Sequence, residues 1–246
     1  MTRRARTGMK KYSAPALIRH GLTARPWRPI IDDGDLQPEY DVVIIGGGVH
    51  GLAIAYYLAA RHGVTNVAVL ERGYIGGGNS GRNTAIIRAN YLTPEGISFY
   101  RRSLNLYERM ADELNFNVMF EPRGQLTVGH DESSIRTLRW RAEANRAMNV
   151  ESSMLDPAQC RELVPPLDIS TTAAYPILGG LWHPPAGIIR HDAVVWAYAR
   201  GANARGTHIR QGVEVTGIKP IAGERFQVAT TQGQVRARQV VNCTTV

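Results

Sequence analysis

The strongest apolar signal in the chain is YDVVIIGGG (40–48), a β-branched run closed by three glycines. Such a run, without polar alternation, belongs in a strand covered on both faces, as in a parallel sheet. The period then changes. In HGLAIAYYLAARHG (50–63) apolar residues recur at helical spacing, and Gly63 supplies a C-terminal stop. NVAVLE (66–71) is a second buried strand, so the three segments predict a β-α-β unit.

Downstream, helical and extended patterns mix. GGGNSGRNTAIIRANY (76–91) is a second glycine-rich loop, and GISFYRRSLNLYERMADELN (96–115) predicts an amphipathic helix. VMFEPRGQLTVGH (118–130) predicts two short strands around Pro122-Arg123-Gly124, and ESSIRTLRWRAEANRAM (132–148) another helix. A short helix is expected at DPAQCRELV (156–164), opened by Asp-Pro, and a longer apolar one over 191–203. THIRQGVEVTGIKPI, RFQVATTQ and QVRARQVVNC predict a small antiparallel meander, with QVVNC (239–243) a further buried strand. IDDGDLQPEY (31–40) reads as the linker where the folded body begins.

Composition bounds the picture. The 246 residues, 43% hydrophobic and 20% charged, suit a soluble globular protein. The formal charge of +8 is confined to one end: eight of the 29 Lys and Arg lie in residues 1–31, which hold no acid, leaving 21 of each sign afterwards. A neutral body argues against a phosphate-binding face, so no nucleic-acid partner is expected. Cys160 and Cys243 stand in no metal or redox spacing, which fits a reducing compartment and a cytoplasmic protein without a metal site. No apolar run reaches the ~20 residues of a membrane span. The basic start lacks the apolar core of a secretory signal and reads as a tail that docks on a partner or surface.

Gly46-x-Gly48-x-x-Gly51 sits between the first strand and the helix, and Glu71 ends the next strand 20 residues past Gly51. In that context the glycines permit a tight turn, close approach of a pyrophosphate and close helix–strand packing, and the helix N-terminus offers free amides to phosphate. Glu71 can accept ribose hydroxyls. The second glycine-rich loop favours FAD over NAD, because an extended flavin nucleotide needs another backbone surface, and Asn79, Ser80, Arg82 and Thr84 supply donors there.

YDVVIIGGGVHGLAIAYYLAARHGVTNVAVLERGYIGGGNSGRNTAIIRANYL (40–92) and LWHPPAGIIRHDAVVWAYARGANARG (181–206) resemble the beta subunits of heterotetrameric sarcosine oxidases, within the D-amino-acid-oxidase-like flavoproteins. KKYSAPALIRHG (10–21) resembles the start of those subunits. The resemblance implies an α/β, FAD-binding Rossmann-like fold of glutathione-reductase type with an inserted α+β substrate domain. Residues 1–38 would be extension and linker, 39–90 and 185–246 two segments of the FAD domain, and 91–184 the substrate domain. It also implies non-covalent FAD that oxidises sarcosine, covalent FMN that passes electrons to O₂, and alpha, gamma and delta partner subunits. NAD bound by the alpha subunit and a folate acceptor for the one-carbon unit complete the implied assembly.

Carried over by position, Val49, His50, Glu71, Arg72, Asn79, Ser80, Arg82, Thr84, Ile86 and Val215 match FAD-contacting residues, and His191 matches the FMN-bearing histidine. An N-cap at Asp192 on a helix over 193–203 would favour the neutral imidazole that attachment requires. Arg88 matches the residue that binds the substrate carboxylate, with Tyr91 a weaker partner. Val49 departs from the glycine common at its position, so the turn there is expected to be ordinary. The chain stops at VVNCTTV, where such subunits continue; alone it is expected to lack activity, dissolve poorly and hold FAD weakly. A related secondary-amine or D-amino-acid dehydrogenase and a non-catalytic FAD-binding fragment are the alternatives.

Overall fold

Strand β1 (Glu39–Ile45) organises the chain. In the computed structural model, which describes residues 14–23, 30–31 and 34–244, it lies between two parallel neighbours. One is β2 (Val67–Glu71), with Val42 opposite Val67 and Ile45 opposite Leu70; the other is β11 (Gly233–Asn242), with Ile45 opposite Asn242. β8 (His208–Gln211) extends the parallel set beyond β2, while β10 (Arg225–Thr230) and β9 (Val215–Ile221) run as an antiparallel meander from β11. The order is β8-β2-β1-β11-β10-β9.

Both faces of this sheet are dry at its centre, which explains the unbroken apolar run. Helices α2 (Val49–His62) and α6 (His191–Asn203) cover one face, where Leu52, Tyr56, Val194 and Tyr198 meet Val42, Ile44, Val67 and Val69. The helices pack so closely that a Cβ on Gly201 would lie 2.9 Å from the Tyr56 ring. On the other face Tyr40, Val43, Ala68 and Leu70 cluster with Val213, Val228, Val235 and Ala237. Helix α2 stops where expected, at Gly63 in the left-handed region (φ 67°).

A second body of structure follows the β-α-β unit. Helices α3 (Pro94–Leu114) and α4 (Glu132–Ala147) begin at Thr93 and Asp131, whose side chains accept the amides of Gly96 and Ser134. Helix α5 (Pro157–Leu163) opens on an Asp156–Gln159 capping box. Helices α4 and α5 pack on an antiparallel sheet of β4 (Gln125–Gly129), β6 (Gly179–His183) and β5 (Ser153–Leu155), in the order β4-β6-β5. A two-stranded ribbon, β3 (Ile86–Ile87) with β7 (Gly187–Ile188), leads back toward α6. Helix α1 (Ala14–Leu22) lies near the start, and Ile31, expected in the linker, is buried in the first core cluster. The remaining residues of the basic tail, 1–13 and 24–29, lie outside the described residues.

Three expectations need correction. The paired strands around Pro122-Arg123-Gly124 do not form: β4 pairs with β6, while Glu121 exchanges backbone bonds with Ile188 at 2.9 and 3.0 Å. Gly124 makes this possible, since its φ of 77° and the Trp182 ring over it leave no room for a side chain. QVVNC is only half-buried, because Val240 and Val241 point to the rims of opposite apolar clusters. Helix α6 starts at His191, as the apolar pattern predicts, but Arg190 and not Asp192 stands at the N-cap position, with no side-chain cap. Asp192 is held instead by Arg190, at 2.9 and 2.5 Å, because a guanidinium two residues away outcompetes the backbone amides.

Among the described residues no helix is long and apolar enough to cross a membrane, and no cluster of three His, Cys, Asp or Glu is placed to hold a metal.

Candidate functional site

The turn after β1 is pinned from three directions. Gly46 (φ 105°) donates its amide to the Leu70 carbonyl at 2.8 Å, and a Cβ there would stand 3.1 Å from the Cys243 carbonyl. A Cβ on Gly51 would lie 2.1 Å from the Gly46 oxygen, so the first turn of α2 rests directly on the loop. Gly47 is equally constrained: its amide donates to Glu71 Oε2 at 2.8 Å, and a Cβ would press on the Glu71 side chain at 2.9 Å. Val49 is the first residue of α2 with ordinary backbone, as expected for a β-branched residue.

The two glycine-rich loops are stitched together. The Gly76 amide donates to the Gly47 carbonyl at 2.9 Å, and the Val49 amide donates to Ser80 Oγ at 2.9 Å. Glu71 Oε1 accepts the Gly73 amide at 2.8 Å, and Gln211 Oε1 accepts the Ile75 amide at 2.8 Å. With Val49 satisfied by Ser80, the amides of Gly48 and His50 at the N-terminus of α2 keep no protein partner among the described residues. Two free N–H groups on the positive end of a helix suit a diphosphate.

These elements enclose a cleft of about 590 Å³ at the carboxyl ends of β1 and β2, the position where open α/β sheets bind ligands. Of the residues singled out in the sequence, Gly46, Gly48, Val49, His50, Glu71, Arg72, Asn79, Ser80, Arg82 and Val215 line it. Gly51 lies beneath, as packing. Thr84 is exposed outside the lining, and Ile86 sits in β3 opposite Ile188. The donors, the open amides and the absence of room for side chains at the turn all fit a dinucleotide, so Gly48 and His50 would hold its phosphates. Glu71, already accepting two amides, keeps lone pairs for a sugar.

Arg88 and Tyr91 belong to a separate polar cluster. The Arg88 guanidinium lies over the Tyr91 ring, 4.3 Å from its centre, and donates to Asn90 Oδ1 at 2.9 Å. Tyr91 stacks in turn on Tyr100, ring centres 3.7 Å apart. Close by, His183 is fully buried: Nε2 accepts the Ala89 amide at 3.2 Å, so the proton sits on Nδ1 and points to the Glu151 carbonyl at 2.6 Å. Burial, aided by the charge of Arg88, holds the His183 imidazole below its ordinary value.

His191 lines a smaller cavity of about 320 Å³ against the second glycine loop, with Tyr74, Arg82, Asp192 and Trp196. The two spaces share Tyr74, Gly77, Ser80 and Arg82 as a common wall. The Arg190 guanidinium keeps the Asp192 carboxyl below the usual carboxylate range, so the first turn of α6 carries a fixed negative charge beside His191.

Sequence reasoning missed Gly47, Gln211, His183 and the Val213–Glu214 lining. Gly47 was legible as the middle of three glycines; the others carry no local signal.

The FAD dependent oxidoreductase family matches residues 41–245. The chain is 46% identical over 224 residues to sarcosine oxidase subunit beta of Rhizobium meliloti, covering 91% of this chain and 54% of that protein. It is 46% identical over 204 residues to sarcosine oxidase subunit beta of an Arthrobacter species, covering 83% and 50%. Among solved structures, L-proline dehydrogenase from P. horikoshii has a TM-score of 0.76 at 28% identity, covering 85% of this chain and 54% of that one. The chain thus spans about half the length of the curated relatives it matches. The turn at Gly46, its bond to Glu71, the paired sheet order and the match across most of the sequence lead to one conclusion: this chain belongs to the FAD-dependent oxidoreductase family.

Proposed function

We propose that the chain is part of a sarcosine oxidase beta subunit, which oxidises N-methylglycine within an assembly that includes alpha, gamma and delta subunits. The observation that carries this reading is the single cleft built by two glycine loops joined through Glu71 and Ser80, taken with the 46% identity to beta subunits. FAD, when bound, supplies the hydride acceptor for the N-methyl carbon, giving an imine equivalent whose one-carbon unit passes to a folate. The chain's own part is positional. Gly48 and His50 amides hold the phosphates, Glu71 and Val215 bracket the adenosine end, and Asn79, Ser80 and Arg82 line the second loop. Arg88, backed by Tyr91, holds the substrate carboxylate through its forked guanidinium.

His191 is proposed as the attachment point of FMN, from which electrons leave to O₂. His191 lines the cavity that shares Tyr74, Gly77, Ser80 and Arg82 with the FAD cleft, which supports an arrangement of two flavins against one loop. A flavin inventory of the full assembly tests this. Denaturing gels should show a fluorescent beta band that His191→Ala abolishes, while heating releases FAD alone. A colourless assembly, or one releasing only a nicotinamide nucleotide, would sink the proposal.

A further inference from the structure

Gln211, the last residue of β8, carries a side-chain amide of fixed orientation. The Ile75 amide donates to it at 2.8 Å, and because an N–H needs an acceptor, the oxygen Oε1 must occupy that end. The other end, Nε2, meets no acceptor of the chain among the described residues, and Gln211 belongs to the lining of the His191 cavity. Of the neighbouring polar groups in that lining, Asp192 is held by Arg190, and Ser80 Oγ already accepts the Val49 amide. The Gln211 NH₂ group is a donor still to be used.

The bond to Ile75 also controls where His191 sits. The Gly212 and Val213 amides donate to the Gly73 and Glu71 carbonyls at 2.9 Å each, so the end of β8 grips the start of the second glycine loop at three points. Ile75 is buried in the first core cluster. Gly76 (φ 76°) lies so near α6 that a Cβ would stand 3.2 Å from the Val195 side chain. Val195 is one helical turn past His191. Gln211 therefore reaches the first turn of α6 through Ile75, Gly76 and Val195.

We infer that Gln211 is a positioning residue of the His191 cavity with two duties: Oε1 holds the loop that seats α6, and Nε2 donates to a carbonyl oxygen of the planar ring bound there. The inference rests on the reading of His191 as the attachment point of FMN. The lining fits such a ring, since an isoalloxazine carries carbonyl acceptors that suit an amide donor, and Tyr74 and Trp196 add aromatic surface to the same cavity. Hydrogen bonds to a flavin ring tune its electronics, so the donor would act on the cofactor itself as well as on its placement.

The test uses the full assembly with Gln211→Glu and Gln211→Met. Glutamate keeps an acceptor for Ile75, as Glu71 does for Gly47, and loses the donor; methionine keeps the length and loses both. Covalent flavin is read from the fluorescence of the beta band on denaturing gels, and FAD from what heating releases. Ring carbonyl stretches are read from variant-minus-wild-type infrared spectra, in which an unchanged FAD complement cancels. Gln211→Glu should keep stoichiometric FAD and the wild-type urea midpoint, lose covalent flavin severalfold, and move a carbonyl stretch of the remainder to higher frequency, because a C=O no longer polarised by a donor is stiffer. Gln211→Met should show the same shift and a larger loss of covalent flavin, since the loop bond goes too. A wild-type stretch in both variants removes Nε2 from the ring, and wild-type covalent flavin in Gln211→Met removes the loop duty; either result overturns the inference and leaves His191 in place. A wild-type beta band without fluorescence, or one that survives His191→Ala, sinks the FMN reading and this inference with it. Should Gln211→Met not assemble, Gln211→Glu decides: a shifted stretch supports the donor, and a wild-type stretch overturns it.

Discussion

The carboxylate of Glu71 spans two turns, taking the Gly47 amide on Oε2 and the Gly73 amide on Oε1, each at 2.8 Å. Glu71→Gln replaces one acceptor oxygen by an NH₂ group that faces an N–H. The change should cost about 1–3 kcal/mol in chemical denaturation. It should also lower FAD affinity about tenfold or more, read by flavin fluorescence titration of the apo-assembly.

Gly51 has no space for a methyl group, since its Cβ would lie 2.1 Å from the Gly46 oxygen. Gly51→Ala must lift α2 off the loop, and the two open amides would move with it. We expect a loss of about 3 kcal/mol in stability and an assembly purified with far less than stoichiometric flavin. Gly34→Ala, where nothing lies within 4 Å and which lies outside the cleft lining, is the matched control and should retain the cofactor.

His183 links stability to pH. Because burial depresses its folded value, the unfolded chain binds the proton more readily, and stability is fully present only above the unfolded imidazole value of about 6.5. It should fall as the pH drops from 7 toward 5. Urea midpoints measured across that range should flatten in His183→Gln, at the cost of a lower midpoint at pH 7 because the Ala89 amide loses its acceptor.

Gly124 fails as a site for any side chain for two reasons, its φ of 77° and the Trp182 ring 1.9 Å from a Cβ. Gly124→Ala should displace the indole, cost about 2–3 kcal/mol, and shift tryptophan emission to the red.

The residues that were legible beforehand are those whose constraint is local. Gly46 and Gly51 announce a strand–turn–helix by spacing, Gly63 announces a helix end, and Asp156-Pro157 announces a start. The β4-β6-β5 sheet was not legible, because its register joins residues as distant as Gln125 and His183, and the partners of β4 outweigh the turn-forming triplet before it. Asp192 looked like a cap because capping is the commoner fate of such an aspartate; the adjacent Arg190 took it.

The loop bearing Tyr74, Gly77, Ser80 and Arg82 belongs to the lining of both chambers. A molecule that presses on it from one chamber alters the shape presented to the other. By thermodynamic reciprocity, whatever factor the first occupant imposes on the second is returned unchanged. Filling the two chambers is therefore a single linked equilibrium, and the order in which they are loaded cannot alter its end point.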